Sequence, residues 1–222
     1  MGAAVNSRLA GWATFVVLFS ALNYASRASG GTPDRNILYR YGTAASGLVQ
    51  YALILGIMLL IARGLSKRWA FALRRPASWP AAIGLGVAIL VAIYVVSAAV
   101  NPFLHPGKEQ GLTPSGWQPA HAGAYAANFL VIAVVAPIVE EMTFRGIGYT
   151  LLVRFGTWPA ILLTGLAFGL AHGLVDGLPL LVLFGCMLAW LRSRTGSTYP
   201  GMIVHGTFNA IALIAAVTLG TG

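Results

Sequence analysis

Glu140 and Glu141 stand side by side in the run AVVAPIVEEMTFRGIGYTLL, and Arg145 follows four residues after the second. The whole chain holds only five Asp and Glu in 222 residues, so adjacent carboxylates in an apolar run are an anomaly. Two imidazoles follow downstream: His172 in AFGLAHG, with Phe168 four residues before it, and His205 in MIVHGTFNA, with Asn209 four residues after it. Residues at i and i+4 share a helical face, so Glu141 and Arg145 read as a structural ion pair, the planar guanidinium suiting a carboxylate. Glu140 points about 100° away on the same helix, with no local partner to neutralise it. Pro137, three residues earlier, removes a helix hydrogen bond and makes room for a kink and for water.

These residue types fit the activation of water. A desolvated carboxylate is a stronger base than a solvated one, which suits Glu140 to take a proton from water held against His172. His205 and Asn209 offer hydrogen-bond donors for the oxyanion of a tetrahedral intermediate at a peptide carbonyl. The expectation is amide hydrolysis without a covalent intermediate, since no Ser or Cys with an adjacent His is evident. Asp176, four residues past His172, either orients that ring or ends the helix as a solvated carboxylate. Any one buried His or Asn can be mere interhelical glue, but two acids, an Arg, two His and an Asn on three helices read as a site.

The elements that must carry these groups are membrane spans. Hydrophobic residues make up 58% and charged residues 9% of the chain, with a mean hydropathy of +0.78; a soluble domain has roughly a quarter charged. The apolar residues fall in blocks long enough to cross a ~30 Å hydrocarbon core. The chain therefore reads as all-α, a polytopic transmembrane bundle of about seven spans: 9–26, 41–62, 80–100, 123–153, 157–175, 178–191 and 199–219. The first span, with Arg8 before it and small residues near Ala25 and Ser26, has the outline of a signal peptide but reads as a retained helix. Residues 1–121 are read as three helices with a basic connector and an external loop, and 122–222 as a four-helix catalytic core, together one compact unit. The net charge of +9 does not indicate nucleic acid, because the positive residues are spread over the span edges.

The positive-inside rule orients the bundle. Arg8, Arg63, Lys67, Arg68, Arg74, Arg75, Arg145, Arg154, Arg192 and Arg194 fall on one side; Arg27, Arg35, Arg40 and Lys108 fall on the other. The first side is expected to be cytoplasmic, with the N-terminus inside. The connector 63–79, mixing basic residues with Trp69, Phe71 and Trp79, reads either as an amphipathic surface segment or as a plain basic loop. The connector 101–122, with His105, Lys108, Glu109 and Trp117, reads as an external loop or a lid. Cys186 is the single cysteine and packs as a small apolar residue. At about 1.5 Å per residue, Glu140 and His172 both stand ~21–22 Å above the basic turn, whereas His205 and Asn209 stand only ~9 and ~15 Å above Tyr199, which makes the last helix the weak geometric link.

The three clusters resemble those of the CPBP family, the CAAX-protease and bacteriocin-processing group that includes the Ras-converting intramembrane glutamic endopeptidases. Glu140, Glu141 and Arg145 match its first motif, Phe168 and His172 its second, His205 and Asn209 its third, in order and spacing, over roughly residues 122–219. The resemblance implies that Glu140 activates water, with the first- and second-motif residues around it, and that His205 and Asn209 stabilise the oxyanion; Glu141, Arg145 and Phe168 support them. The implied substrate is a membrane-anchored or lipidated protein or peptide: a CAAX tail, a bacteriocin precursor or a sorting signal. One Glu and two His also suit Zn²⁺ with a position left for water, the ligands then being Glu140, His172 and His205. The metal-free route is the expectation, because the cationic Arg145 stands near those ligands.

Two readings of another class compete. Buried Glu and His also mark proton relays and transporters, which need a polar route through both halves of the bilayer; the first three spans offer almost no ionisable residue for one. A non-catalytic immunity protein would have no need of all three clusters.

Overall fold

The computed structural model describes residues 2–30, 34, 36–100, 103, 104, 109, 112, 114, 116–219. Arg35, His105 and Lys108 lie outside the described residues. The chain is a polytopic membrane bundle without strands among the described residues: α1 (Gly2–Ser29), α2 (Tyr41–Ile61), α3 (Lys67–Ala70), α4 (Trp79–Val100), α5 (Pro119–Phe155), α6 (Thr157–Ala171), α7 (Leu178–Thr195) and α8 (Tyr199–Thr218). Six of these are long and apolar enough to cross a bilayer.

The fifth expected span, 157–175, is shorter than its sequence suggested. α6 runs for 15 residues, about 22 Å at the helical rise, and stops at Ala171 instead of Val175. Gly173, with φ +63°, turns the chain in the left-handed region that glycine enters without strain. A helix that ends inside the hydrocarbon leaves backbone groups with no water to satisfy them. α1 and the connector before α5 supply the partners. Asn23 donates to the Ala171 carbonyl (2.7 Å), Tyr24 to Leu174 (2.9 Å) and Arg27 to Gly173 (2.7 Å). Glu109 accepts from the amides of Val175 (2.6 Å) and Gly177 (3.1 Å), and Arg27 pairs with it at 3.4 Å. α1 is thus built into the bundle, and its buried Trp12 donates to the Thr143 carbonyl on α5 (3.0 Å).

α5 is long and irregular. Two π-helical stretches, Val131–Val135 and Met142–Gly148, flank a short α-helical segment, Ala136–Glu141, that carries Pro137 and both carboxylates. Such π-turns widen a helix and release carbonyls, and they concentrate at functional sites. The kink expected from Pro137 is therefore a pair of π-turns around the Glu140–Glu141 step.

The connector 63–79, read as an amphipathic surface segment or a basic loop, is partly buried. α3 is only four residues long, and Phe71 and Ala72 behind it are buried. Thr198, at the start of α8, donates to the Phe71 carbonyl (3.0 Å), and Arg74 donates to Gly196 (2.7 Å). The connector thereby fixes the α7–α8 turn from which His205 rises.

Candidate active site

Three helices of the second half bring the sequence-predicted residues together. Glu140 comes from α5, His172 from the end of α6, His205 and Asn209 from α8. The Nε2 atoms of His172 and His205 lie 3.9 and 3.8 Å from the same carboxylate oxygen, Glu140 Oε2. The offset in height expected for His205 does not keep it from the site, since it reaches the same oxygen as His172. Glu140 Oε2 is buried and has no hydrogen-bond partner within the protein. It faces a cavity of about 370 Å³ lined by Glu140, His172, His205 and Asn209 and walled by Phe184 and Phe208. A second cavity of about 190 Å³, lined by Asn23, Gln50 and Thr143, reaches Glu140 and His172 from the side of α1 and α2.

The two imidazoles are oriented differently. His172 Nδ1 meets the Phe168 carbonyl at 2.7 Å. A carbonyl can only accept, so Nδ1 carries the hydrogen, and in the neutral ring Nε2 presents its lone pair to the Glu140 side. Asp176 is exposed and plays no part in this; the solvated reading fits it. His205 is buried, and its Nδ1 lies 3.3 Å from Glu141 Oε1. That oxygen also accepts from Arg145 at 2.7 Å. Arg145 and Glu141 are both fully buried (0% exposed), which removes Arg145 from the basic face where the charge count put it. Arg145 is held further by the Gly185 carbonyl (2.9 Å) and lies 4.4 Å over the Phe168 ring. Phe168 in turn meets both imidazoles edge-on, with centroids 4.6 Å from His172 and 5.5 Å from His205. An Arg–Glu–His chain therefore fixes His205, and one buried phenyl ring spaces all three charged or polar groups.

Asn209 lines the cavity, but one of its amide hydrogens is committed to the Ile132 carbonyl (2.9 Å), within the first π-helical stretch. The carboxamide thus docks α8 onto α5 and has a second amide hydrogen for another partner. The sequence reading missed one group altogether. Tyr51, on α2, donates to Glu140 Oε1 at 2.7 Å, an uncharged partner from a distant part of the chain. A phenol in a span adds little to a tally of charge, and no periodic pattern marks it.

Among the described residues, no group of three or more His, Cys, Asp and Glu side chains is arranged to hold a metal ion.

The family described as type II CAAX prenyl endopeptidase Rce1-like matches residues 122–211. The chain carries an Rce1-like domain. That stretch contains α5, α6, α7 and most of α8, and with them all three clusters. The match supports an intramembrane protease of the CAAX type, a hydrolase acting on a membrane-associated protein or peptide. No curated protein and no solved structure matches the chain.

Proposed function

We propose that the Rce1-like domain hydrolyses a peptide bond of a membrane-anchored or lipidated protein by a metal-free, glutamate-based route. The observation that carries this reading is one carboxylate oxygen, Glu140 Oε2, facing two imidazole nitrogens at 3.8 and 3.9 Å across a cavity. Those spacings are too short for a water between carboxylate and rings, so the attacking water is placed to one side, in the cavity that Glu140, His172 and His205 line. The lone pair of His172 Nε2 accepts one hydrogen of that water, and Glu140 removes the other as the oxygen attacks the scissile carbonyl carbon. Tyr51 holds Oε1, which leaves Oε2 as the base.

The new C–O bond pushes charge onto the carbonyl oxygen. Asn209 offers its second amide hydrogen to that oxyanion, and His205 offers Nε2–H when both ring nitrogens are protonated, with Nδ1–H on Glu141. Glu140 then passes its proton to the departing nitrogen, the C–N bond breaks, and a carboxyl and an amine product leave. No charge need enter or leave the bundle. We further propose that residues 1–121 and 122–222 act as frame and catalytic core, and that the basic end faces the cytoplasm, N-terminus inside.

The test uses the full chain in proteoliposomes with a membrane-anchored reporter peptide. Turnover that persists in excess chelator and disappears in Glu140→Gln supports the reading. Turnover abolished by chelator and restored by Zn²⁺ would replace it with the metal route.

A further inference from the structure

All five acids of the chain are accounted for away from the basic end of the bundle. Glu140 and Glu141 sit in the site, Glu109 clamps the turn after His172, Asp176 lies in that turn, and Asp34 pairs with Arg40 between α1 and α2. The basic end, where α7 finishes, therefore has no carboxylate among the described residues. Even so, Arg192 is buried there, at 9% exposure, and its Nε has no hydrogen-bond partner. Its guanidinium lies over the Tyr149 ring, 5.2 Å from the centroid. Arg74 from the connector is close enough for the two positive charges to repel, and Arg74 is held in place by its bond to the Gly196 carbonyl. Desolvating one guanidinium beside a second, with no counter-ion, is unfavourable unless an anion from outside completes the cluster.

We infer that Arg192 and Arg74 form a binding site for the phosphate of an anionic phospholipid headgroup. The depth fits: Trp69, Trp79 and Trp158 are exposed at this end of the bundle, as aromatic residues are at the headgroup level. A phosphate oxygen suits the planar donors of a guanidinium, and two guanidiniums grip one phosphate better than either alone. The occupied site ties the end of α7 to the connector that braces the α7–α8 turn. This site stands apart from the Glu140 cavity, and the proposal does not depend on the hydrolytic mechanism.

The experiment measures lipid retained by the purified full chain, by native mass spectrometry and by thermal shift, with phosphatidylcholine alone, with added phosphatidylglycerol, or with inorganic phosphate. One phosphatidylglycerol is expected to stay bound and to raise the unfolding temperature, while phosphatidylcholine does not. Arg192→Gln and Arg74→Gln are each expected to weaken that binding about fivefold, by the usual contribution of one cation near a membrane surface. Arg63→Gln, an exposed cation at the same end, is expected to leave it unchanged. Should Arg192→Gln fail to fold, the exposed Arg74 decides the matter alone. Equal weakening by Arg63→Gln would show only diffuse surface attraction and overturn the site. Displacement of the lipid by an equal concentration of inorganic phosphate would reassign the pair to a free anion.

Discussion

The two halves of this molecule meet the bilayer differently. The three long spans before residue 101 each bury 17% of their most apolar window, whereas α5 buries 44% and α7 39%. The second half is consequently where charge can be hidden, and Glu141, Arg145 and His205 are all buried there. The first half faces lipid, yet it is not inert wrapping. It sends Tyr51 to Glu140, Trp12 to the carbonyl of Thr143, and Asn23, Tyr24 and Arg27 to the broken end of α6. One half holds the proposed reacting groups, and the other braces the backbone around them. A bilayer supplies no water to repair a helix that ends early, so that frame has to come from the chain itself.

Substitutions sharpen this division, and the largest effect is expected in the second half. Arg145→Met removes the partner of a fully buried carboxylate, and breaking such a pair costs about 3–5 kcal/mol. We expect a large fall in unfolding temperature together with complete loss of turnover. Retained stability would mean that Glu141 finds another partner. Gly201→Ala places a methyl 2.5 Å from Glu141 Oε2, where the carboxylate is locked by Arg145 and has little room to yield. Turnover should drop sharply while the protein stays folded, since the displaced Glu141 no longer seats His205.

Effects in the first half should be smaller and of another kind. Tyr51→Phe deletes one hydrogen bond to an ionised group, worth about 1.5–3 kcal/mol, so kcat is expected to fall by at least about tenfold with little change in KM. An unchanged kcat would remove Tyr51 from the account. Asn23→Ala frees the Ala171 carbonyl and loosens the turn that carries His172. A loss of about 1–3 kcal/mol in stability is expected, with faster hydrogen exchange confined to residues 171–177 as the specific signature.

The helical bundle was legible from block length and composition, because ~20 apolar residues in a row have few other fates. The end of α6 was not. AFGLAHGLVD continues the apolar run past Ala171, and nothing in it announces that Asn23, Tyr24, Arg27 and Glu109, far away in the sequence, will satisfy the exposed backbone. Within the candidate site, i,i+4 spacing correctly paired Glu141 with Arg145 and set His172 below Phe168. Spacing along one helix says nothing of neighbours on another. The Glu141–His205 and Tyr51–Glu140 contacts both cross between helices, and both were invisible for that reason. Counting residues along α8 likewise takes no account of the buried Phe71, whose carbonyl accepts from Thr198 at the start of that helix.

The central claim is that Glu140 is the base and Glu141 its structural neighbour. The most direct measurement compares single-turnover cleavage of a membrane-anchored reporter by Glu140→Gln and by wild type, in chelator, with unfolding temperatures taken alongside. Glu140 is 14% exposed, and its amide isostere keeps an oxygen for Tyr51, so the variant should fold normally. The account predicts a rate lower by about 10²–10⁴-fold at an unchanged unfolding temperature. A folded Glu140→Gln that cleaves at the wild-type rate would contradict it.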